Sequence, residues 1–173
     1  GCAFAMGSGI SSAHGLNKAL EKNSDKIVLS YIGDSTFLHA GIPSLLNAIY
    51  NKSNITVIIA DNSTTAMTGG QEHAGTGKTI QGEARIPVDL KDLCRSLGVI
   101  DLQEVDPYDY KSAYKALSHA VEFDGVSVLI ATRPCVLFPK KLKEASFQVL
   151  PEKCTGCGMC MTIYCPSIIV SDK

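Results

Sequence analysis

Short apolar runs alternate with segments of helical periodicity along most of the chain. Residues 27–33 (IVLSYIG) are apolar almost throughout and lie between a polar Asn-Ser-Asp stretch and Asp34. Residues 55–60 (ITVIIA) repeat that character and stop at Asp61-Asn62; residues 126–131 (VSVLIA) follow a glycine and stop before Thr132-Arg133-Pro134. A weaker run spans 99–105 (VIDLQEV). Continuous rather than alternating apolar strands suit a parallel sheet covered on both faces. Between them, 8–22 carries Ile10, Ala13, Leu16, Ala19 and Leu20 at helical spacing, and 40–51 carries Ile42, Leu45, Leu46 and Ile49 with Pro43 in its first turn. Residues 89–97 open on the cap residue Asp89 and end before Gly98, and 108–122 place Tyr110, Tyr114, Leu117 and Val121 along one face. This alternation predicts a three-layer α/β domain with a mostly parallel sheet over residues 1–135, a linker over 136–148 and a small separate segment over 149–173.

One stretch breaks the rhythm. Residues 61–86 form a polar loop rich in glycine and threonine, and loops this long inside a compact domain are usually functional or disordered. The loop leaves a strand's carboxyl end, where open α/β sheets bind ligands. Composition narrows the partners. Sixteen Lys and Arg against 17 Asp and Glu give a net charge of −1, no electrostatic footprint for nucleic acid or an anionic membrane. No apolar run approaches the length of a membrane span, and Gly1-Cys2-Ala3-Phe4 has no basic segment of a signal peptide.

Seven cysteines are the compositional excess, four of them between Cys154 and Cys165. The chain is too rich in core residues to need disulfide staples, and Cys2, Cys94 and Cys135 sit in apolar contexts where reduced thiols are usual, so a reducing cytoplasm is expected. Cys154-x2-Cys157-x2-Cys160-x4-Cys165-Pro166 is one residue longer in its last gap than the bacterial ferredoxin run. Tight turns at Gly156 and Gly158 bring such thiolates around one cluster and free backbone N–H groups for its sulfurs. Zinc also uses Cys-x2-Cys pairs, but with a dozen or more residues between pairs, whereas three cysteines here fall within seven positions. The reading is a 4Fe-4S cluster on Cys154, Cys157, Cys160 and Cys165, or three of these with a fourth ligand from a second run, Cys165 then serving another cluster.

Gly33-Asp34-Ser35 and Asn62 end two successive strands, and parallel strands bring both carboxyl ends to one edge. A carboxylate and an amide oxygen are hard ligands suited to a Mg²⁺ that also grips a diphosphate, although such residues are also common turn formers and caps. Two apparent nucleotide motifs fail: GSGISS lacks the third glycine of a dinucleotide fingerprint, and GTGKT has Glu72 where a P-loop needs glycine.

The 28-position spacing from Asp34 to Asn62 resembles the diphosphate-binding motif of thiamine diphosphate enzymes. GDSTFLHAGIPSLLNAIYNKSN, DNSTTAMTGGQ, the opening MGSGISSAHGLNKAL and the cysteine tail together resemble the large (alpha) subunit of the indolepyruvate ferredoxin oxidoreductases. The resemblance implies a thiamine diphosphate-binding fold with a ferredoxin-like iron–sulfur tail. It implies oxidative decarboxylation of arylpyruvates to acyl-CoA, with electrons passed through iron–sulfur clusters to ferredoxin. It further implies Asp34, Asn62 and the backbone carbonyl of Thr64 as Mg²⁺ ligands, with Gly33, Ser35 and Thr36 cradling the diphosphate. Thr65, Ala66, Met67 and Thr68 would lie beside the thiazolium, and Met6 and Gly7 would approach the cofactor from the first turn. His39 and His73 are the candidate catalytic side chains. The implied partners are a pyrimidine-binding domain or N-terminal half upstream of Gly1, a smaller beta subunit, ferredoxin, coenzyme A and the arylpyruvate. The chain is therefore expected to be one piece of a larger enzyme and inactive alone. Pyruvate, 2-oxoglutarate or branched-chain 2-oxoacids are alternative substrates, and an electron-transfer module without catalysis is the alternative class.

Overall fold

The computed structural model describes residues 4–20, 26–137, 149–163 and 168–169. The chain divides into two units, Gly1–Lys141 and Leu142–Lys173. In the first, β1 (Leu29–Gly33), β2 (Ile55–Asp61), β3 (Asp101–Val105) and β4 (Val126–Thr132) form one sheet in the order β1-β2-β4-β3, every pairing parallel. The chain steps across the sheet from β1 through β2 to β3, then returns to place β4 between β2 and β3. Alternate residues along the strands separate the two faces. Ile55, Val57 and Ile59 of β2 and Val126, Val128 and Ile130 of β4 join one core with Ile10, Leu45, Leu90 and Cys94, which come from α1 (Gly9–Ala19), α3 (Ile42–Tyr50) and α4 (Leu90–Ser96). On the other face, α5 (Tyr110–Glu122) lays Ala116 and Ala120 against the sheet, and the Thr56 hydroxyl donates to the Ala120 carbonyl at 3.0 Å. The three layers follow from this division, each buried aliphatic contributing about 1.5–3 kcal/mol.

Two elements differ from the sequence pattern. The helix expected over 40–51 begins at Asp34, directly after β1: a first turn, α2 (Asp34–Thr36), runs into a widened π-helical turn over Phe37–Gly41 and on into α3. Phe37 is fully buried, and a Cβ at Gly41 would lie 2.5 Å from its ring. The wide turn seats that contact and absorbs the missing N–H of Pro43, as such bulges do inside helices. In α5 the tyrosine stripe is not the buried one. Tyr110 and Tyr114 stack at 6.1 Å and are exposed, because the smaller alanine stripe allows closer approach to the strands.

Cys94, on α4, has no exposed surface, and burial, helped by the charge of Asp89, pushes its thiol up to about 11. An unfolded thiol ionises near 8.5, so the folded state loses up to about 2–3 kcal/mol as pH rises from there toward the folded value. Chemical denaturation of wild type and Cys94→Ala between pH 8 and 11 is expected to show that loss only in wild type.

The second unit contains two short 3₁₀ turns, Pro151–Lys153 and Met159–Ile163. Cys154, Cys157 and Cys160 are exposed and free, and Gly156 and Gly158 both adopt φ +71°. Cys165, Cys2 and linker residues 138–148 lie outside the described residues. Among the described residues no helix is long and apolar enough to cross a membrane.

Candidate functional site

Parallel pairing carries the ends of β1 and β2 to the same edge, with Gly33 opposite Ala60. The next residues of each strand meet there. Asp34 is buried at 3% exposure, its Oδ1 accepting the Ser35 N–H at 2.7 Å. Its Oδ2 is sealed from solvent without an aligned hydrogen-bond partner, and the Nε2 of His73 approaches it to 3.3 Å. Asp61, the last residue of β2, lies within reach of the same carboxylate. Burial, reinforced by Asp34, pushes the Asp61 carboxyl above the usual carboxylate range, against the pull of its bond from the Ser63 N–H. Two adjacent carboxylates and an orphaned buried oxygen are costly in a low-dielectric setting unless a cation joins them. The donor set fits Mg²⁺, which favours carboxylate and other hard oxygens.

The loop after β2 is folded on itself beside this point. Asn62 Oδ1 accepts the Thr64 N–H at 3.2 Å and the Thr64 carbonyl accepts the Ala66 N–H at 3.0 Å, leaving each oxygen a second lone pair. Thr65 pairs with Gln71 across a turn that needs positive φ at Gly69 and Gly70. The Thr65 hydroxyl donates to the Ser35 hydroxyl at 3.0 Å, tying this loop to the first turn after β1. The carbonyls of Asp61 and Asn62 are held by the N–H groups of Arg133 and Cys135, which continue the β2–β4 ladder to the sheet edge.

Met6, Gly7, Gly33 and Thr36 line one hollow of about 220 Å³. Gly7 has φ +86°, and a Cβ there would lie 2.6 Å from the Ala40 Cβ, so glycine is required. At Gly33 a Cβ would meet nothing within 4 Å, which leaves the backbone open to an approaching group. A second cleft of about 280 Å³ has Asp61, His73, Lys91 and Glu104 on its polar side and Val88 and Ile130 on its apolar side.

The structure thus brings Asp34, Ser35, Thr65 and His73 together, and Met6, Gly7, Gly33 and Thr36 together. Thr64 is buried, while Asn62 and Ala66 are half-buried. Met67 is 89% exposed, and Thr68 is exposed, bonded only within its turn to Gln71. His39 is exposed on the π-helical turn; its Nδ1 lies 2.7 Å from the Ser35 carbonyl and so donates to it. Asp61 escapes sequence reasoning, although a carboxylate as the last residue of a buried strand is a readable signal. Gly75 escapes it too: its amide donates to His73 Nδ1 at 3.1 Å.

In the tail, the Met159 N–H and then the Thr155 hydroxyl hold the Cys157 thiol below the ordinary thiol range. A thiol that already receives these hydrogen bonds suits a thiolate metal ligand. Among the described residues no group of three His, Cys, Asp or Glu side chains is gathered in metal-binding geometry.

A parallel α/β domain whose polar loops gather at the carboxyl edge of its strands belongs to the class of open sheets that bind ligands at that edge. The comparisons with known proteins make the class particular. Residues 1–131 match the family described as thiamine pyrophosphate enzyme, C-terminal TPP binding domain, and the chain belongs to that family. It is 41% identical to the indolepyruvate oxidoreductase subunit IorA of Pyrococcus horikoshii, over 95% of this chain and 28% of that protein. It is 38% identical to the IorA of Archaeoglobus fulgidus, over 98% of this chain and 27% of that protein. The chain therefore spans little more than a quarter of the curated relatives it matches. Its fold is similar to that of a 2-oxoglutarate:ferredoxin oxidoreductase from Magnetococcus marinus, with TM-score 0.69 and 19% identity over 79% of this chain and 48% of that one. A second solved structure, the thiamine diphosphate-dependent 4-hydroxybenzoylformate decarboxylase of Rhodococcus jostii RHA1, gives TM-score 0.52 and 24% identity over 75% and 23%.

Proposed function

We propose that this chain forms the diphosphate- and Mg²⁺-holding part, together with a cluster-bearing tail, of a 2-oxoacid:ferredoxin oxidoreductase that acts on arylpyruvates such as indolepyruvate. The observation that carries the reading is the likeness to indolepyruvate oxidoreductase subunits over 95–98% of the chain. That extent takes in both the Asp34–Thr68 region and Cys154–Cys160. Asp34, Asn62 and the Thr64 carbonyl would hold Mg²⁺; Gly33, Ser35 and Thr36 would hold the diphosphate, with Met6 and Gly7 closing from the first turn. Thr65, Ala66, Met67 and Thr68 would border the thiazolium. Thiamine diphosphate, when bound, would supply the electron sink that loss of CO₂ from a 2-oxo acid requires. Cys154, Cys157, Cys160 and Cys165 would hold a 4Fe-4S cluster, which accepts electrons singly.

The chain's own contribution is positional. The Thr65–Ser35 bridge keeps the two strand-end segments at one distance, and the Arg133 and Cys135 amides keep the β2 end in register. His39 presents its free Nε2 to solvent beside this edge, the orientation a proton acceptor needs. The remaining parts of the machine, including a pyrimidine-binding domain, a smaller beta subunit and ferredoxin, would come from outside these 173 residues. A cytoplasmic setting suits free cluster thiolates. The test is turnover of the full-length enzyme with indolepyruvate, pyruvate and 2-oxoglutarate, each with coenzyme A and a one-electron acceptor. Preference for indolepyruvate is expected, with no turnover by the isolated chain. Equal or faster reaction with 2-oxoglutarate would overturn the substrate assignment.

A further inference from the structure

We propose that His73 is the positioning residue of the Asp34 carboxylate: its Nε2–H holds one carboxylate oxygen so that the remaining lone pairs are presented to the cation. The inference rests on the reading of Asp34 as a Mg²⁺ ligand. His73 and Asp34 lie 39 positions apart in sequence, yet their side chains are 2% and 5% exposed and face each other at 3.3 Å. The ring's orientation is built into the loop. The Gly75 N–H points at Nδ1, and an amide N–H only donates, so Nδ1 carries the lone pair and the proton of the neutral ring sits on Nε2. That places a donor opposite Asp34 Oδ2, while Oδ1 takes the Ser35 N–H. Oδ2 and Nε2, 3.3 Å apart and both buried without another hydrogen-bond partner, thus have only each other to pair with.

The support behind the imidazole is close-fitting. A Cβ at Gly75 would stand 3.1 Å from His73 Cε1 and 3.3 Å from Nδ1, so glycine lets the backbone approach the ring. The turn is clamped by the Thr76 hydroxyl, which donates to the His73 carbonyl at 2.9 Å, and by the Val88 N–H on the Ala74 carbonyl at 2.9 Å. With both nitrogens directed into the fold's own groups, His73 has no free lone pair for a substrate proton. Its chemistry is that of an outer partner to a metal-binding carboxylate, a role whose removal typically weakens metal affinity roughly 10–100-fold. Here the neighbouring Asp61 makes the added donor more valuable, since the two carboxylates repel.

The experiment is a titration of Mg²⁺ into the full-length enzyme saturated with thiamine diphosphate, followed by calorimetry, with the thermal midpoint of each metal-free variant as a folding control. His73→Phe, which keeps the ring's volume, is expected to weaken Mg²⁺ roughly 10–100-fold. His73→Gln, whose amide can place an N–H near the same point, is expected to recover most of that loss. Gly75→Ala, which keeps the imidazole but displaces it, is expected to give an intermediate, few-fold loss and serves where His73→Phe fails to fold. Unchanged Mg²⁺ affinity in folded His73→Phe, or in Gly75→Ala where the former does not fold, would overturn the inference. So would equal failure of folded His73→Phe and His73→Gln. Asp34→Asn distinguishes the levels: if it too leaves Mg²⁺ binding intact, the ligand reading itself falls.

Discussion

Asp34→Asn in the full-length enzyme is expected to weaken magnesium-dependent thiamine diphosphate binding by roughly 10²-fold or more, while leaving the metal-free protein folded. The substitution keeps the oxygen that accepts the Ser35 N–H and replaces the second, charged oxygen by a neutral NH₂ group. In the metal-free protein that charge is a burden: it is buried, its second oxygen lacks an aligned donor, and Asp61 stands beside it. Neutralising it relieves the repulsion, and this offsets the new misfit between an amide N–H and the His73 N–H. Folding stability without metal should therefore move by no more than about 1 kcal/mol. The stabilisation that Mg²⁺ and cofactor add to wild type by mass action should vanish. Calorimetry with and without Mg²⁺, beside denaturant midpoints for the metal-free forms, separates the two effects. Undiminished magnesium-dependent binding in a folded Asp34→Asn enzyme would refute the ligand assignment.

What could be read from sequence follows the range of the interactions involved. The strands were legible because ITVIIA and VSVLIA are β-branched runs long enough to cross a covered sheet and too short for helices. The placement of Asp34 and Asn62 at one sheet edge was legible because it depends only on their following two parallel strands. The start of the helix at Asp34 was not, since it depends on Phe37 filling the space above Gly41, a packing fact that propensity does not carry. Spacing alone does not pick the buried face of α5 for a related reason: tyrosines and alanines both recur at helical spacing, and closeness of approach favours the small residues. Asp61 and His73 join the site only through the fold, one by strand order and the other by the path of a polar loop. Sequence could name that loop as functional but could not say which of its residues turns inward.

Cys157→Ser is expected to remove one cluster's complement, about four iron atoms and their labile sulfide per chain, from the anaerobically prepared full-length enzyme. The argument starts from the two glycines. Gly156 and Gly158 both sit at φ +71°, a conformation that side-chain-bearing residues rarely adopt, and the turn they make directs the Met159 N–H at the Cys157 sulfur. That hydrogen bond, aided by the Thr155 hydroxyl, favours the thiolate before any metal is present. A serine hydroxyl at this position keeps the size and the hydrogen bonding but is a far harder, more basic ligand, which iron–sulfur clusters do not select. Cys135→Ala, outside the run, should retain the full complement. Iron, zinc and acid-labile sulfide are to be measured on the same samples, together with the visible absorption of the cluster. Loss of iron and sulfide in step supports the iron–sulfur reading. One zinc per chain without sulfide, or iron unchanged by Cys157→Ser, would overturn it, because three exposed thiols within seven positions would then serve a different metal or none.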